Sequence, residues 1–390
     1  MTIDRTPLIA HADAPWRAVA GRKTMSHKKP TPGLPTCFSS PSGGRARKGG
    51  GLGGALNARW YRTLVAASLA VAALPAMAWG PHGHQTVGAI ADQLIAGTPT
   101  AKKVRQVLGS NLQMASVWAD CARGVESNAG TWRYTTSGTY KECAPYENDA
   151  SKAAMVAFVQ RNATRCGGNA GAAQCRHTAY HFTNISIRHD RYDPALPGAN
   201  PNDLVQAIGA ALGVLQGGKS PAPINIASQR EALRLLTHYI GDLHQPLHVG
   251  SIYLDDAGNI TDPTNAQQAR AQDNRGGNKL LLKGWKLHAT WDDVPGKLTT
   301  ALIAGQGAIE ARRVKPATGP INQWPTAWAS DTLVNADRTF QGLTIAPKVG
   351  DSWAVSATEP DYRLSREALQ HEQIVKAGAR LAQIVTTLWP

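Results

Sequence analysis

The stretch THYIGDLHQPLH, residues 237–248, holds the densest group of candidate metal ligands in this 390-residue chain. His238 and Asp242 are four residues apart, so on a helix their side chains leave one face about a turn apart. That spacing lets an imidazole and a carboxylate reach the same metal ion. Pro246 ends the predicted helix, and His248 follows where the chain can turn back over the site.

A second pair with the same spacing, His288 and Asp292, lies in the later stretch LHATWD. Either pair alone would more often be a contact on a helix surface than a ligand set. Two such pairs and one further histidine together favour metal binding. Oxygen and imidazole donors without thiolate suit zinc, although ligand type alone leaves manganese and iron open.

Helical periodicity of apolar residues extends outward from this motif through most of the chain after residue 78. Ser228 is a predicted cap for the motif helix, and Asn200 is a predicted cap for the helix before it. The predicted helices are His84–Ile95, Pro99–Leu108, Ser151–Arg165, Asn202–Gln216, Ser228–Leu243, Trp324–Phe340 and Leu364–Leu388.

Strand patterns are few, and the clearest is a hairpin of Lys279–Leu282 with Trp285–Leu287. The polar segment Gly250–Gly277 is rich in Asp, Asn and Gln, so we expect an exposed loop or a partly disordered insertion. A solvated loop without function is an equally open interpretation of that segment. With no internal repeat and no interdomain linker, the sequence predicts one all-α domain over residues 79–390.

The first 78 residues have a different composition, rich in Gly, Pro, Ser and Arg, that cannot bury enough apolar surface to fold. Arg59 and Arg62 precede the apolar run Leu64–Leu74, and an Ala-x-Ala ending follows. These features predict a leader and secretory signal peptide over residues 1–78, cleaved before Trp79. The alternative is a membrane anchor, but about 15 apolar residues are short for a span.

Charge and cysteine content change when that leader is removed. It holds 11 of the 41 Lys and Arg residues and 2 of the 27 Asp and Glu residues, so net charge falls from +14 to +5. That balance only mildly favours a polyanionic partner. Of the five cysteines, Cys37 leaves with the leader, and the four that remain in an exported chain favour two disulfides, with neighbour pairing ahead of the other connectivities. The four are Cys121, Cys143, Cys166 and Cys175.

Further candidate ligands are scattered along the chain. Asp120 lies between apolar neighbours, where a carboxylate is costly to bury unless it is paired or bound to metal. His181 stands between two aromatic residues, and His84 lies close to the predicted new N-terminus at Trp79. An α-amine with a pKa near 8 becomes a ligand once a metal displaces its proton.

Together these motifs resemble the type I zinc-dependent single-strand-specific nucleases, a family that includes mung bean nuclease. The central motif is long and stands in the family's order with the others, and the resemblance covers essentially all of residues 79–390. It implies a single all-α, multi-helix domain of the type shared with zinc-dependent phospholipase C. The matching segments are 79–84, 118–120, 181–182, 238–248, 276–278, 287–288, 291–292 and 376–382.

The resemblance also implies a site of three zinc ions. A hydroxide between two ions about 3.5–4 Å apart would attack the phosphodiester, and the third ion would stabilise the leaving 3′ oxygen. Products would carry 5′-phosphates, and 3′-nucleotidase activity is expected. The implied ligands are Asp120, His181, His238 and Asp242 for the first ion, Asp242, His84 and the amine and carbonyl of Trp79 for the second, and His248, His288 and Asp292 for the third.

Substrate contacts follow from the same resemblance. Arg123 lies where the family carries a basic residue aimed at the phosphate, although an ordinary surface arginine is the alternative. Phe182, Asn184 and Asn278 match positions of a nucleobase pocket, which would favour unpaired bases. His244 lies inside the central motif without being a ligand in the family, so a supporting role is expected.

The nearest alternative function is zinc-dependent phospholipase C, which usually ends its third ligand set with His-x-x-x-Glu where this chain has His288 and Asp292. An exported zinc-stabilised binding protein is a further alternative, but structural zinc sites are mostly rich in thiolates. The expected substrates are single-stranded DNA or RNA and 3′-nucleotides. We expect a secreted or periplasmic protein, with no stable membrane insertion after cleavage and no obligate protein partner.

Overall fold

The computed structural model describes residues 79–163 and 176–390. The predicted leader and signal peptide, and the predicted disulfide between Cys166 and Cys175, lie outside the described residues. Helices dominate the part that is described, which confirms the all-α prediction. No helix within these two ranges is long and apolar enough to cross a membrane.

The helices surround a core to which most of them contribute one apolar face. A π-helical turn, Leu302–Gln306, joins two of them, and short 3₁₀ turns include Lys141–Tyr146, Arg176–His181 and Pro246–His248. The helices are α1 (Pro81–Leu94), α2 (Pro99–Leu108), α3 (Leu112–Ala115), α4 (Trp118–Ala122), α5 (Asp149–Asn162), α6 (Leu204–Leu215), α7 (Gln229–Leu243), α8 (Ala266–Gln272), α9 (Leu287–Asp292), α10 (Gly296–Ala301), α11 (Gly307–Ala311), α12 (Trp324–Ala336) and α13 (Asp361–Leu388).

The N-terminal cap was predicted correctly for α7 and wrongly for α6. Ser228 caps α7, because its hydroxyl oxygen accepts a hydrogen bond from the amide of Glu231 at 3.2 Å. Asn200 does not cap α6. Its side chain closes a local turn instead by accepting from the Asn202 amide at 2.8 Å. Asp203 is the cap, and its carboxylate accepts from the first two free amides of α6.

The predicted hairpin is present as one edge of a four-stranded sheet with the order β8-β7-β10-β9. Leu282 lies opposite Trp285 in the antiparallel β7–β8 pair, while β10 runs parallel to β7. The strands are β1 (Val125–Asn128), β2 (Thr131–Tyr134), β3 (Ile185–Ser186), β4 (Gly250–Ser251), β5 (Tyr253–Leu254), β6 (Ile260–Thr261), β7 (Leu280–Leu282), β8 (Trp285–Lys286), β9 (Leu343–Val349) and β10 (Ser352–Ala357).

The prediction of an exposed or partly disordered loop at Gly250–Gly277 is wrong for both of its ends. Strand β4 pairs parallel with β3, and the following residues Ile252, Tyr253 and Leu254 are fully buried. Near the other end, Asn274 is also fully buried. The polar composition of the whole segment conceals this short apolar run, which packs into the core while the middle of the segment stays exposed.

Two clusters of buried apolar side chains support the fold. The larger, here called the helical core, is built mainly from α1, α4, α6, α7 and α13. The smaller, the sheet-side core, lies between the four-stranded sheet, α9 and the start of α13. Its buried members are Leu247, Ile252, Leu254, Leu280, Leu282, Leu287, Trp291, Phe340, Trp353, Val355, Tyr362 and Leu369.

A disulfide joins Cys121 in α4 to Cys143 in the 3₁₀ turn Lys141–Tyr146. This bond confirms the predicted pairing of these two neighbours. Both cysteines are buried, and Cys121 directly follows Asp120. The crosslink therefore fixes the segment that carries one of the candidate ligands.

Candidate metal centre

Helix α7 carries the first candidate ligands on its last two turns, which are enclosed by the helical core. Its apolar residues, including Leu236 and Ile240, pack into that core, and His238 and Asp242 have no exposed surface. The helix ends at Leu243, and the Pro246–His248 turn then returns the chain towards the same region. The predicted geometry of the central motif is therefore confirmed.

The two carboxylate oxygens of Asp242 face three histidines. Oδ1 lies 3.2 Å from Nε2 of His84, whereas Oδ2 lies 3.0 Å from Nδ1 of His181 and 3.3 Å from Nε2 of His238. Both oxygens are buried, and the polar groups that face them are these three imidazoles. Burying a carboxylate in this way is costly without a positive partner, so the arrangement fits a ligand that bridges two cations.

Asp120 completes the same group from α4. Its Oδ1 atom lies 3.7 Å from Nε2 of His238 and 3.8 Å from Nδ1 of His181. The ligand atoms of Asp120, His181 and His238 lie within 4.8 Å of one another, as do those of His84, His238 and Asp242. These five residues, His84, Asp120, His181, His238 and Asp242, are called the paired site below.

His84 enters the paired site through a close approach to α7. Its ring stacks on that of His238 with centroids 3.9 Å apart and an angle of 16° between the planes. Gly241 faces this ring, and a Cβ atom there would lie 2.6 Å from Nδ1 of His84. The glycine of the central motif is therefore needed to admit the imidazole.

A third group, the third site, consists of His248, His288 and Asp292, whose ligand atoms also lie within 4.8 Å of one another. The Nε2 atoms of the two histidines are only 3.1 Å apart, and Nε2 of His288 lies 3.6 Å from Oδ2 of Asp292. All three side chains are buried. Two imidazole nitrogens this close to a carboxylate form the donor set expected for zinc.

Three of the histidines have their tautomers set by backbone carbonyls, which can only accept a hydrogen bond. In each case Nδ1 donates to the carbonyl, so Nε2 is left to present its lone pair to the cluster. This is the outer arrangement usual for metal-binding histidines. The pairs are His238 with Ser116 at 2.6 Å, His248 with His181 at 2.5 Å and His288 with Gly276 at 2.6 Å.

The Gly276-Gly277 turn supports the third site as well as carrying Asn278. Both glycines have positive φ angles, +57° and +84°, which favour glycine over other residues. A Cβ atom on Gly276 would collide with the carbonyl oxygen of Leu247. Only glycine therefore allows this turn to bring its carbonyl against His288.

Within the paired site, the histidines and the carboxylates shift each other's pKa values. Burial opposes a charge on His238, but the Asp242 and Asp120 carboxylates outweigh it and raise its pKa to about 9. Burial likewise opposes the charge of Asp242, yet His238 and its other histidine neighbours hold its pKa well below the usual range. A bound metal ion would take the place of the proton on His238.

At neighbouring histidines burial acts in the same direction, and there the carboxylates do not outweigh it. It lowers the pKa of His181 to about 4 and that of His288 to about 3, so both rings favour the neutral form that binds metal. Burial also raises the pKa of Asp292 well above its ordinary value, with Asp120 and Asp242 adding to the effect. A nearby positive ion would stabilise the ionised carboxylate.

Trp79 is fully buried beside the third site. The adjoining Gly80 amide donates to the backbone oxygen of Asp292 at 2.9 Å. This hydrogen bond links the first described residues to the segment that carries the candidate ligand Asp292. Whether the Trp79 amine itself is a ligand depends on cleavage of the bond to Ala78, which remains a prediction.

The predicted substrate residues surround this region. Phe182 is partly exposed next to His181, and the guanidinium of Arg123 lies 3.3 Å from Oδ1 of Asp120. Asn278 is held by its own side chain, whose Nδ2 donates to the Arg275 carbonyl at 2.9 Å. Arg123 is therefore close enough to the paired site to contact a phosphate there.

Asn184 is buried, whereas a residue that contacts a base needs an accessible side chain. Its Nδ2 donates to Oδ2 of Asp273 at 3.1 Å. Its Oδ1 is inaccessible and accepts no hydrogen bond from the described part of the chain. Sequence reasoning missed Asp273, because the residue lies 89 positions away in the polar segment. The structure therefore places an acidic partner from that segment beside Asn184.

His244 lies behind the ligands, among the side chains of α7, α12 and α13. Its Nδ1 donates to the Ile240 carbonyl at 2.7 Å, and its Nε2 accepts from Arg380 at 2.8 Å. Arg380 also donates to Asp331 at 2.7 Å. These bonds occupy both ring nitrogens, which agrees with a supporting role.

Comparison with known proteins gives this geometry its context. Residues 170–389 match the family described as S1/P1 Nuclease. Endonuclease 4 of Arabidopsis thaliana is 25% identical over 348 residues, covering 85% of this chain and 95% of the relative. Endonuclease 5 of the same plant is 23% identical over 339 residues, with coverages of 80% and 91%.

A fungal relative matches a shorter part of the chain. Nuclease S1 of Aspergillus oryzae is 27% identical over 192 residues, which is 47% of this chain and 48% of the relative. The family match begins before His181 and extends to residue 389, so it includes the central motif, the third site and most of the paired site. Because that match covers more than half of its length, the chain belongs to the S1/P1 nuclease family.

Proposed function

We propose that this nuclease is an exported, zinc-dependent endonuclease that hydrolyses phosphodiester bonds of single-stranded DNA and RNA. Its products would carry 5′-phosphates, and it would also remove the phosphate of 3′-nucleotides. The observation that carries the proposal is the placement of Asp242. Its two buried oxygens face different histidines, as expected of a carboxylate shared by two cations.

The proposed ligands fit three zinc ions by chemistry and by orientation. Each of the three groups combines imidazole nitrogen with carboxylate oxygen, and the backbone bonds of His238, His248 and His288 direct Nε2 to the centre. Asp120, His181 and His238 would hold one ion and His84 a second, with Asp242 shared between them. His248, His288 and Asp292 would hold the third, and the processed amine of Trp79 would complete the second.

When bound, zinc ions would offset phosphate charge and lower the pKa of a bound water to about 7. The protein itself supplies the surroundings of the phosphate. Arg123, anchored at Asp120, would donate to a non-bridging phosphate oxygen, where its planar guanidinium suits the geometry. The buried ligands exclude bulk water, which strengthens these electrostatic contacts.

Preference for single strands would come from a stacked base. Phe182 directly follows His181 and is partly exposed, so a base lying on its ring would be close to the paired site. Asn278 lies in the turn that also contacts His288, and would meet the edge of the same base. A paired base hides both its face and its edge, so a duplex could not make these contacts.

Export is part of the proposal, because the second ion would need the free amine of Trp79. Signal cleavage before Trp79 would create that amine and leave residues 79–390 as the enzyme domain. The Cys121–Cys143 disulfide is the kind of bond that persists in an oxidising compartment. We therefore propose a secreted or periplasmic location.

The test is metal analysis of the processed protein together with an assay on matched substrates. We expect three zinc ions per chain, and cleavage of a single-stranded oligonucleotide much faster than cleavage of the same sequence as a duplex. Chelation should remove activity and added zinc should restore it. Equal cleavage of duplex and single strand, or release of phosphocholine from lecithin instead, would contradict the proposal.

A further inference from the structure

We propose that Gln245 is a positioning residue that fixes Asp292 at the third site. The inference rests on the proposed metal-binding function of that site. Gln245 is fully buried between the end of α7 and the Pro246–His248 turn. The resemblance described above includes Gln245 within segment 238–248 but gives it no role, and its partner Asp292 lies 47 residues away along the chain.

The orientation of the Gln245 amide is determined by its neighbours. Its Oε1 accepts a hydrogen bond from the Leu247 amide at 2.6 Å, so Nε2 must point the other way. Nε2 donates to Oδ1 of Asp292 at 2.8 Å. A glutamine offers one acceptor and one donor group, and both are used here in buried contacts.

This contact leaves Asp292 with a single oxygen for a ligand. Oδ1 is occupied by Gln245, whereas Oδ2 is buried, forms no hydrogen bond within the described residues and lies 3.6 Å from Nε2 of His288. Gln245 therefore directs one defined oxygen of Asp292 towards the histidines. Partners of this kind are known to tune the affinity of metal sites strongly.

One side chain thereby joins the two segments that form the third site. Gln245 bonds the main chain of the turn that carries His248, and it also bonds the carboxylate supplied by α9. Replacing Gln245 removes the only side-chain hydrogen bond that Asp292 accepts from the described residues. The two segments would then be free to shift relative to each other.

Two substitutions separate the donor from the acceptor. Gln245→Glu keeps an oxygen for the Leu247 amide but removes the donor and places a carboxylate against Asp292. Gln245→Met keeps the approximate volume and removes both polar groups without adding charge. A matched control is Gln370→Met, because Gln370 is also fully buried and donates to the carbonyls of Trp291 and Asp293 on either side of Asp292.

The experiment measures zinc binding by equilibrium dialysis alongside thermal unfolding, with wild type as the reference. We expect both Gln245 variants to bind the third ion 10–100-fold more weakly while the other two ions stay in place. Gln245→Glu should also regain activity at raised zinc concentration. Gln370→Met should unfold at a lower temperature but keep the affinity of all three ions.

Two outcomes are decisive against Gln245 as a positioning residue. One is unchanged affinity for the third ion in both variants, which is the pattern expected of Gln370→Met and would reduce Gln245 to a packing role. The other is an equal loss of all three ions. If instead the wild-type protein bound fewer than three zinc ions, the proposed function would fail and not this inference alone.

Discussion

The paired site and the third site use the same His-x-x-x-Asp spacing on very different supports. His238 and Asp242 occupy the last two turns of α7, a 15-residue helix whose apolar face packs into the helical core. His288 and Asp292 occupy α9, which has only six residues and rests on the sheet-side core. Equal spacing in the sequence therefore does not imply equal rigidity in the fold.

The difference lies in what holds each pair in place. A helix of six residues is not stable alone, because nucleation is unfavourable and few internal bonds form. At the third site the missing support comes from outside the helix, through the Gly276 carbonyl and the Gln245 amide. At the paired site it comes mainly from the packing of α7 between Ala232 and Leu243, to which the hydrogen bond of His238 with the Ser116 carbonyl adds. We therefore expect the third site to depend more on single distant contacts.

The largest effect is expected from removing the shared carboxylate. Asp242→Asn should abolish activity and lose more than one equivalent of zinc, because two ions would share this side chain. Asp292→Asn should lose only one equivalent. Elemental analysis of both variants after gel filtration measures the difference, and near-normal zinc content and turnover in Asp242→Asn would refute its bridging role.

A second large effect concerns the N-terminus, which would connect the two sites. The Gly80 amide bonds Asp292 at the third site, while the amine of Trp79 is predicted to bind at the paired site. An amide nitrogen is a poor zinc donor, so protein with extra residues before Trp79 should bind less zinc and be nearly inactive. Trimming to Trp79 should restore both.

Mass spectrometry must confirm each N-terminus in that comparison. Full activity from a verified, uncleaved extension would exclude the terminal amine as a ligand. The same experiment tests the predicted domain boundary, since only cleavage before Trp79 creates the required amine.

Two glycines allow each site to be disrupted separately. Gly241→Ala would press on the ring of His84, and Gly276→Ala would collide with the Leu247 carbonyl. Each should lower the free energy of unfolding by about 1–3 kcal/mol. The first should weaken zinc at the paired site and the second at the third site, as measured by stepwise zinc titration.

Gly209→Ala in α6 is the matched control, because nothing lies within 4 Å of a Cβ atom there. That change should leave zinc binding unaltered and stabilise the helix by up to about 1 kcal/mol. If Gly241→Ala and Gly276→Ala released the same ions, the separation of the two sites would be wrong.

The smallest predicted effect falls on substrate binding. Phe182 directly follows a ligand of the paired site and Asn278 lies in the turn beside the third, and both are proposed to contact one base. Stacking is worth about 1–3 kcal/mol per base, so Phe182→Ala with Asn278→Ala should raise KM on single strands tenfold or more. Zinc content should not change. A normal KM in the double variant would show that the base pocket lies elsewhere.

Local patterns indicated the two His-x-x-x-Asp pairs, whereas the grouping of ligands into three sets came from the family resemblance. The His-x-x-x-Asp spacing depends only on helix geometry, and α2 was predicted with the bounds that the structure has. The apolar period also located α7 and its Ser228 cap. Interactions of this kind involve residues within a turn or two of each other.

Long-range pairing explains what was not predicted. Strand β10 joins the sheet by pairing with β7, more than 60 residues earlier in the chain, and β9 joins it by pairing with β10. The buried start of Gly250–Gly277 likewise depends on β3 as a partner. Gln245 and Asp273 gain their roles from carboxylate and amide groups brought close only by folding. No local spacing encodes such contacts.

The disulfide beside Asp120 has a consequence for the order of assembly in the cell. Crosslinking two cysteines 22 residues apart contributes about 3 kcal/mol to stability, and here it restrains the segment that carries a ligand. We expect the chain to acquire its metal ions efficiently only after an oxidant has joined Cys121 to Cys143. A copy retained in a reducing cytosol would then be a poor nuclease, which spares the nucleic acids of the cell that makes it.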